Sequence, residues 1–146
     1  PELKGTDIAT TRKACEKFRY KPVSVMNFLE GTRFTQHKHD KQQSPFTHLL
    51  KPKAGGISFV LNAMGEHLHK LLDVTICYPK GIPSFWDYIS GKVQDIKVRV
   101  RVLPIVSVLI GDYEDPLFKQ KFQLWVNQLW SDKDLFLTEL KQGERS

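Results

Sequence analysis

Cysteine is scarce in this chain. Cys15 and Cys77 are the only two, too few and too far apart for a disulfide framework or a zinc site, and both read as reduced, packed thiols of a cytosolic protein. Long apolar runs are missing as well. None approaches the roughly 20 residues that span a bilayer, and the start at Pro1 carries no signal peptide. Metal-ligand spacing is absent around the five histidines. His37 and His39 sit among charged residues, and His67 and His69, two apart on an expected helix, face different ways. No metal site is expected. Acidic residues are outnumbered, 16 against 22 basic ones, for a net charge of +6. That imbalance implies an anionic partner or surface rather than a fold. There are no internal repeats and no low-complexity segment.

What is present is a mixed pattern. Thr6 to Tyr20 reads as a helix capped by Thr6 or Asp7, ended by Pro22. Val23 to Leu29, rich in β-formers, reads as a buried strand. Phe34 to Lys53 reads as a polar loop with Pro45 and Pro52 as breakers. From Ala54 a helix is expected, because Ile57, Val60, Leu61, Met64, Leu68 and Leu71 recur at helical spacing, with Gly65 weakening or splitting it. A strand at Val74 to Tyr78, a short helix at Ser84 to Ile89 and a strand at Gln94 to Leu103 follow. The order strand, helix, strand favours a parallel pair with a right-handed crossover. The fold class expected is α/β: a mixed, partly parallel sheet flanked by helices. Leu117, Phe118, Phe122, Trp125 and Leu129 mark a C-terminal amphipathic helix that Trp130, Leu135, Phe136 and Leu140 extend. Its aromatic stripe reads first as core packing, and Trp125 and Trp130 would also suit a membrane interface. The expected division is residues 1–112 and a helical segment 113–146.

The most informative stretch is V-S-V-M-N-F-L-E-G-T-R, from Val23 to Arg33. An apolar run stops abruptly at Glu30-Gly31-Thr32-Arg33, the layout of a strand that delivers polar groups to its carboxyl end, where open α/β sheets bind ligands. Gly31 permits close backbone approach, Thr32 offers a hydroxyl, and Arg33 carries a planar fork suited to phosphate. Read alone, the same four residues also describe a charged turn.

The continuation narrows the choice. E-G-T-R-F-T-Q-H-K-H is followed by L-L-K-P-K-A-G-G from Leu49 to Gly56, by L-L-D-V-T-I-C-Y-P from Leu71 to Pro79, and by a fainter W-x4-W-x2-K-D from Trp125 to Asp134. In these ordered motifs, from Pro1 to about Pro104, the chain resembles the second half of the catalytic domain of glycerophospholipid acyltransferases. The branch resembled is that of 1-acylglycerol-3-phosphate and lysocardiolipin-type enzymes. Leu29 stands where many relatives carry Pro, as this branch commonly shows.

The resemblance implies transfer of a fatty acyl group from acyl-coenzyme A or an acyl-carrier protein to the free hydroxyl of a lysophospholipid. No cofactor is implied beyond that thioester co-substrate. A His with an Asp five positions on serves as general base in the family. Here the residues five places after the histidines are Gln42, Ser44, Lys53, Leu72 and Val74, so no catalytic residue is assigned. The expectation is a C-terminal half whose start at Pro1 fits a fragment, inactive alone, from a parent at the cytoplasmic face of a membrane, a bacterial inner membrane being implied. Glu30, Gly31, Thr32 and Arg33 would hold the acceptor, with Arg33 on its phosphate. Lys53 is either a second anion contact or a surface lysine before a helix. The Lys38–His39 pair matches the branch and suggests a role in shaping the loop after E-G-T-R.

Lys97, Arg99 and Arg101 alternate with Val98, Val100 and Val102, so one face of that strand is basic and the other apolar. Either the basic face is solvated, or it meets anionic headgroups or the phosphates of the donor. The partners expected are a lysophospholipid acceptor, an acyl thioester donor and an anionic membrane surface. The alternative is a non-catalytic peripheral membrane or nucleic-acid binding module. No RNA-binding fingerprint, helix-turn-helix pattern or aromatic platform accompanies the charges, and nucleic acid is not the expected partner.

Overall fold

A computed structural model describes residues 24–142 apart from Lys80, Ile82 and Gln94. In chain order its elements are α1 (Gln36–Gln42), α2 (Ala54–Met64), β1 (Leu71–Cys77), α3 (Phe85–Ile89), β2 (Lys97–Leu103), a 3-10 turn (Ser107–Leu109) and α4 (Pro116–Gln142). The helix expected at Thr6 to Tyr20 lies outside the described residues. The chain divides into two compact units.

The first unit takes in residues 24–33, Pro52–Leu71 and Pro104–Asn127. Its core is Ala54, Leu61, Leu109, Phe122 and Val126, with Ile57, Tyr113, Phe118 and Trp125 packed around them. The 3.6-residue period explains the choice. Ala54, Ser58 and Leu61 recur on one side of α2 and are buried, as are Phe122 and Val126 on α4, so each helix gives one stripe to the core. Phe122 stacks on Phe118 with ring centroids 5.6 Å apart and meets Tyr113 edge-on at 6.3 Å. Gly65 is the C-cap of α2 in a right-handed conformation, φ −55°, and crowding there leaves no room for a side chain. A Cβ there would lie 2.6 Å from Ile110 Cδ1.

Residues 24–28, where the strand Val23 to Leu29 was expected, adopt no regular secondary structure. Val25, Met26 and Phe28 are exposed. A β-prone run becomes a strand only when a neighbour supplies its hydrogen-bond ladder, and none of the described residues does so. The strands that do pair, β1 and β2, form a two-stranded antiparallel sheet. The architecture is α/β, but no parallel pair forms among the described residues.

The second unit takes in Phe34–Lys51, Leu72–Leu103 and residues 128–142. The expected polar loop contains α1, whose Thr35 side chain caps the Lys38 N–H and which buries no residue. It ends at Gln43, held left-handed at φ 48°. In the sheet, the alternation is turned opposite to the solvated-basic-face expectation. On β1, Asp73, Thr75 and Cys77 are buried while Leu72, Val74 and Ile76 are exposed. On β2, Val98, Val100 and Val102 are more than half exposed. The Arg99 guanidinium lies 3.5 Å over the Phe136 ring of α4, and Arg101 donates to Asp73 at 2.8 and 3.0 Å. The aromatic ring and the carboxylate, absent from the strand itself, decide which face turns in.

Candidate functional site

Glu30 and Gly31 sit in a tight turn closed by the Gly31 N–H donating to Phe28 O at 2.9 Å. Gly31 has φ +67°, a conformation that costs residues with a Cβ about 1–2 kcal/mol. The turn is tied to the start of α2. Lys53 N–H donates to Leu29 O at 2.7 Å, and the Lys53 side chain crosses over Gly31, where a Cβ would stand 3.4 Å from Nζ. The structure thus brings Gly31 and Lys53 of the expected site into contact. Glu30 is half-buried, while Gly31, Thr32, Arg33 and Lys53 are exposed.

Lys53 is the N-cap of α2 and makes no side-chain capping bond. The first N–H groups of an α-helix have no partner within the helix, and the macrodipole leaves that end positive. The Lys53 ammonium and the helix terminus make an anion-receptive corner beside Glu30, the acid of the turn, and Arg33 follows that turn with its side chain exposed. Asn27 was not singled out from the sequence. A Cβ at Gly56 would lie 3.2 Å from its Nδ2, so Asn27 reaches the first turn of α2. Its one sequence signal is an amide within an otherwise apolar run.

In the second unit, the D-x-T motif and the Trp130-to-Asp134 part of W-x4-W-x2-K-D form a clasp. Lys133 Nζ lies 2.6 Å from Asp73 Oδ1 and donates to Val74 O at 2.8 Å. Burial pushes the Asp73 carboxyl up, yet hydrogen bonds from Lys133 and Arg101 more than offset it, and the net direction is down. Asp134 accepts the Thr47 and His48 N–H groups at 2.7 Å each, and Trp130 Nε1 donates to Leu50 O at 3.1 Å. The loop after α1 is further held by His39, whose Nε2 lies 2.6 Å from Phe46 O and whose Nδ1 lies 3.3 Å from Asp40 Oδ1. That carbonyl first, then the carboxylate, raise the His39 pKa. His48 moves the other way: burial, then the nearby Lys141 ammonium, lower it.

Among the described residues, no group of three or more His, Cys, Asp or Glu is placed to hold a metal ion. No helix among them is long and apolar enough to cross a membrane.

No protein-family model matches the chain, and no solved structure matches it. Curated relatives do. Lysocardiolipin acyltransferase 1 of Mus musculus is 24% identical over 139 residues, covering 87% of this chain and 35% of that protein. The Gallus gallus protein of the same name is 25% identical over 136 residues, covering 85% of this chain and 34% of its own length. The 1-acyl-sn-glycerol-3-phosphate acyltransferase delta of Mus musculus is 24% identical over 144 residues, covering 91% of this chain and 36% of that protein. The chain thus spans about a third of the length of the curated relatives it matches. Over the part they cover, these similarities support the glycerophospholipid acyltransferase family, the family that the ordered motifs resemble.

Proposed function

We propose that the chain is the acceptor-binding part of a lysophospholipid acyltransferase, using Arg33 and Lys53 to grip the phosphate of an acceptor such as 1-acylglycerol-3-phosphate. The observation that carries this reading is the tie between Lys53 and the E-G-T-R turn, through Leu29 O and across Gly31. The Lys53 ammonium and the positive end of α2 lie beside the turn that Arg33 follows, and a cation at a helix N-terminus favours an anion. Arg33 supplies a bidentate fork and Lys53 a point charge, a complementary pair for a phosphate monoester. Thr32 and Gly31 shape the turn, and Glu30 orients the acceptor.

In this reading the acyl group comes from a coenzyme A or carrier-protein thioester. The free hydroxyl of the acceptor attacks the thioester carbonyl directly, without an acyl-enzyme. General base catalysis belongs to a His-x4-Asp pair that is not among these residues, so binding, not turnover, is what the chain performs alone. The parent acts at a membrane surface. Arg99 and Arg101, candidates for nucleic acid in the alternative reading, are engaged by Phe136, Asp73 and Asp132.

Calorimetric titration with short-chain lysophosphatidate tests the proposal. Saturable binding weakened by Arg33→Ala and by Lys53→Ala is expected. Equal affinity in both variants and the parent removes the corner from the site.

A further inference from the structure

A chain that handles lipid needs a surface that meets the bilayer, and the features raised for that role from sequence are already occupied. Arg99 and Arg101 are held within the second unit. Trp130 is 5% exposed and donates to Leu50 O, and Trp125 packs against the core of the first unit. The short helix α3 is the opposite case.

Four of its five residues are large, apolar and open: Phe85 72%, Trp86 75%, Tyr88 61% and Ile89 63% exposed. The fifth, Asp87, is used by the backbone. Its carboxylate accepts the Ser84 N–H at 3.0 Å while the Ser84 hydroxyl accepts the Asp87 N–H at 3.2 Å, a complete capping box. At the other end, Lys92 N–H donates to Asp87 O and Gly91 N–H to Tyr88 O, with Gly91 left-handed at φ +68°, the Schellman arrangement. Both ends of this single turn are closed internally. Such a turn can enter an apolar phase without stranding its terminal polar groups.

We infer that Phe85–Ile89 is the element that docks this chain into the interface of an anionic phospholipid bilayer. The inference rests on the lipid-acceptor reading proposed above. Trp and Tyr settle at headgroup level, and Phe and Ile reach the acyl boundary. Lys80 and Lys92 flank the turn in sequence, and the chain carries a net charge of +6, which complements anionic headgroups. The other exposed apolar surface described in this unit comprises Leu72, Val74 and Ile76 with Val98, Val100 and Val102, and also Ile96 and Leu135. It is wholly aliphatic, without the aromatic and cationic residues of an interfacial surface.

Co-sedimentation of the 146-residue chain with phosphatidylcholine vesicles, with and without phosphatidylglycerol, tests this. The chain is expected to bind the anionic vesicles. F85S/W86S is expected to lower the partition coefficient by roughly tenfold or more, since two large apolar side chains no longer leave water, with the parental melting temperature retained. K92E is expected to weaken binding only where phosphatidylglycerol is present. Unchanged partition of F85S/W86S overturns the inference. So does a chain that ignores vesicles but dimerises through this turn in sedimentation velocity. Short-chain lysophosphatidate, measured on the same samples, separates the two readings. Acceptor binding retained in F85S/W86S alongside lost vesicle affinity supports the docking role. A parent that binds vesicles through this turn but not lysophosphatidate overturns the acceptor site alone.

Discussion

Lys133, on the C-terminal half of α4, and Asp73, on β1, form a buried ion pair: Nζ and Oδ1 are 2.6 Å apart, and the two side chains are 9% and 4% exposed. A second donor, Arg101, shares the same carboxylate at 2.8 Å. Removing a buried charge's partner is expensive because the charge that remains is neither solvated nor matched.

Lys133→Met is therefore expected to destabilise the protein by about 2–3 kcal/mol, below the full penalty for breaking a buried pair because Arg101 stays on Asp73. Thermal and urea unfolding measure this. The sign of the pH dependence follows from the lowered Asp73 pKa. Its contribution is present above the unfolded-state value of about 3.9 and is lost as pH falls through the lower folded value. Stability of Lys133→Met equal to the parent at neutral pH would show that the pair contributes nothing.

Arg33→Ala is expected to weaken lysophosphatidate binding by roughly 2–4 kcal/mol, the range for losing a charged hydrogen bond to a phosphate. Arg33→Lys should recover part of it, since the charge survives and the bidentate fork does not. Salt titration of the affinity separates these two contributions.

Gly31→Ala tests the turn rather than the charges. With φ +67° at this position and Lys53 Nζ 3.4 Å from the new Cβ, about 1–2 kcal/mol of backbone strain is expected. The Lys53 side chain meets the new Cβ only at ordinary contact distance, so the effect comes through the turn backbone that Lys53 is tied to. Loss of lysophosphatidate affinity larger than the loss of stability is the expected signature. A fall in stability with intact affinity would separate the turn from binding.

His39 of α1 and His48 of the loop after it should titrate on opposite sides of the ordinary imidazole value of about 6.5. His39, facing a carbonyl and a carboxylate, is raised. Its contribution is complete below the unfolded value and is lost as pH rises through the folded one. His48 is lowered by burial and by Lys141, whose Nζ lies 3.2 Å from Nδ1. Its contribution is present above the unfolded value and is lost as pH falls. Proton NMR of the ring signals resolves both midpoints, and His39→Gln assigns the raised one. A His39 midpoint at or below that of a free imidazole contradicts the hydrogen bonds described.

How far residues alone foretold this structure varies from element to element. The helix α2 was visible because Ile57, Leu61 and Met64 repeat at its period, and α3 because Ser84 precedes an aromatic turn. The helix α1, within an expected loop, leaves no trace in the sequence for a clear reason. It buries no residue, so there is no apolar period to see, and it is held by polar contacts, among them the Thr35 cap and the His39–Phe46 hydrogen bond. The run at 24–28 misled in the other direction. Its composition is that of a strand, but composition cannot provide the partner whose carbonyls and N–H groups complete a ladder.

At the site, the chemistry of Arg33 and the need for glycine at position 31 follow from side-chain type and allowed backbone angles, which are local properties. That Lys53 bridges back to Leu29 and Gly31 is a long-range contact, written nowhere in the spacing of residues. The strand β2 draws the line most clearly. Strict alternation in K-V-R-V-R-V-L dictated two unlike faces, because successive side chains of a strand point opposite ways. Alternation is unchanged if the faces are exchanged. Phe136, Asp73 and Asp132, brought in from other elements, turned the arginines inward and left the valines in water.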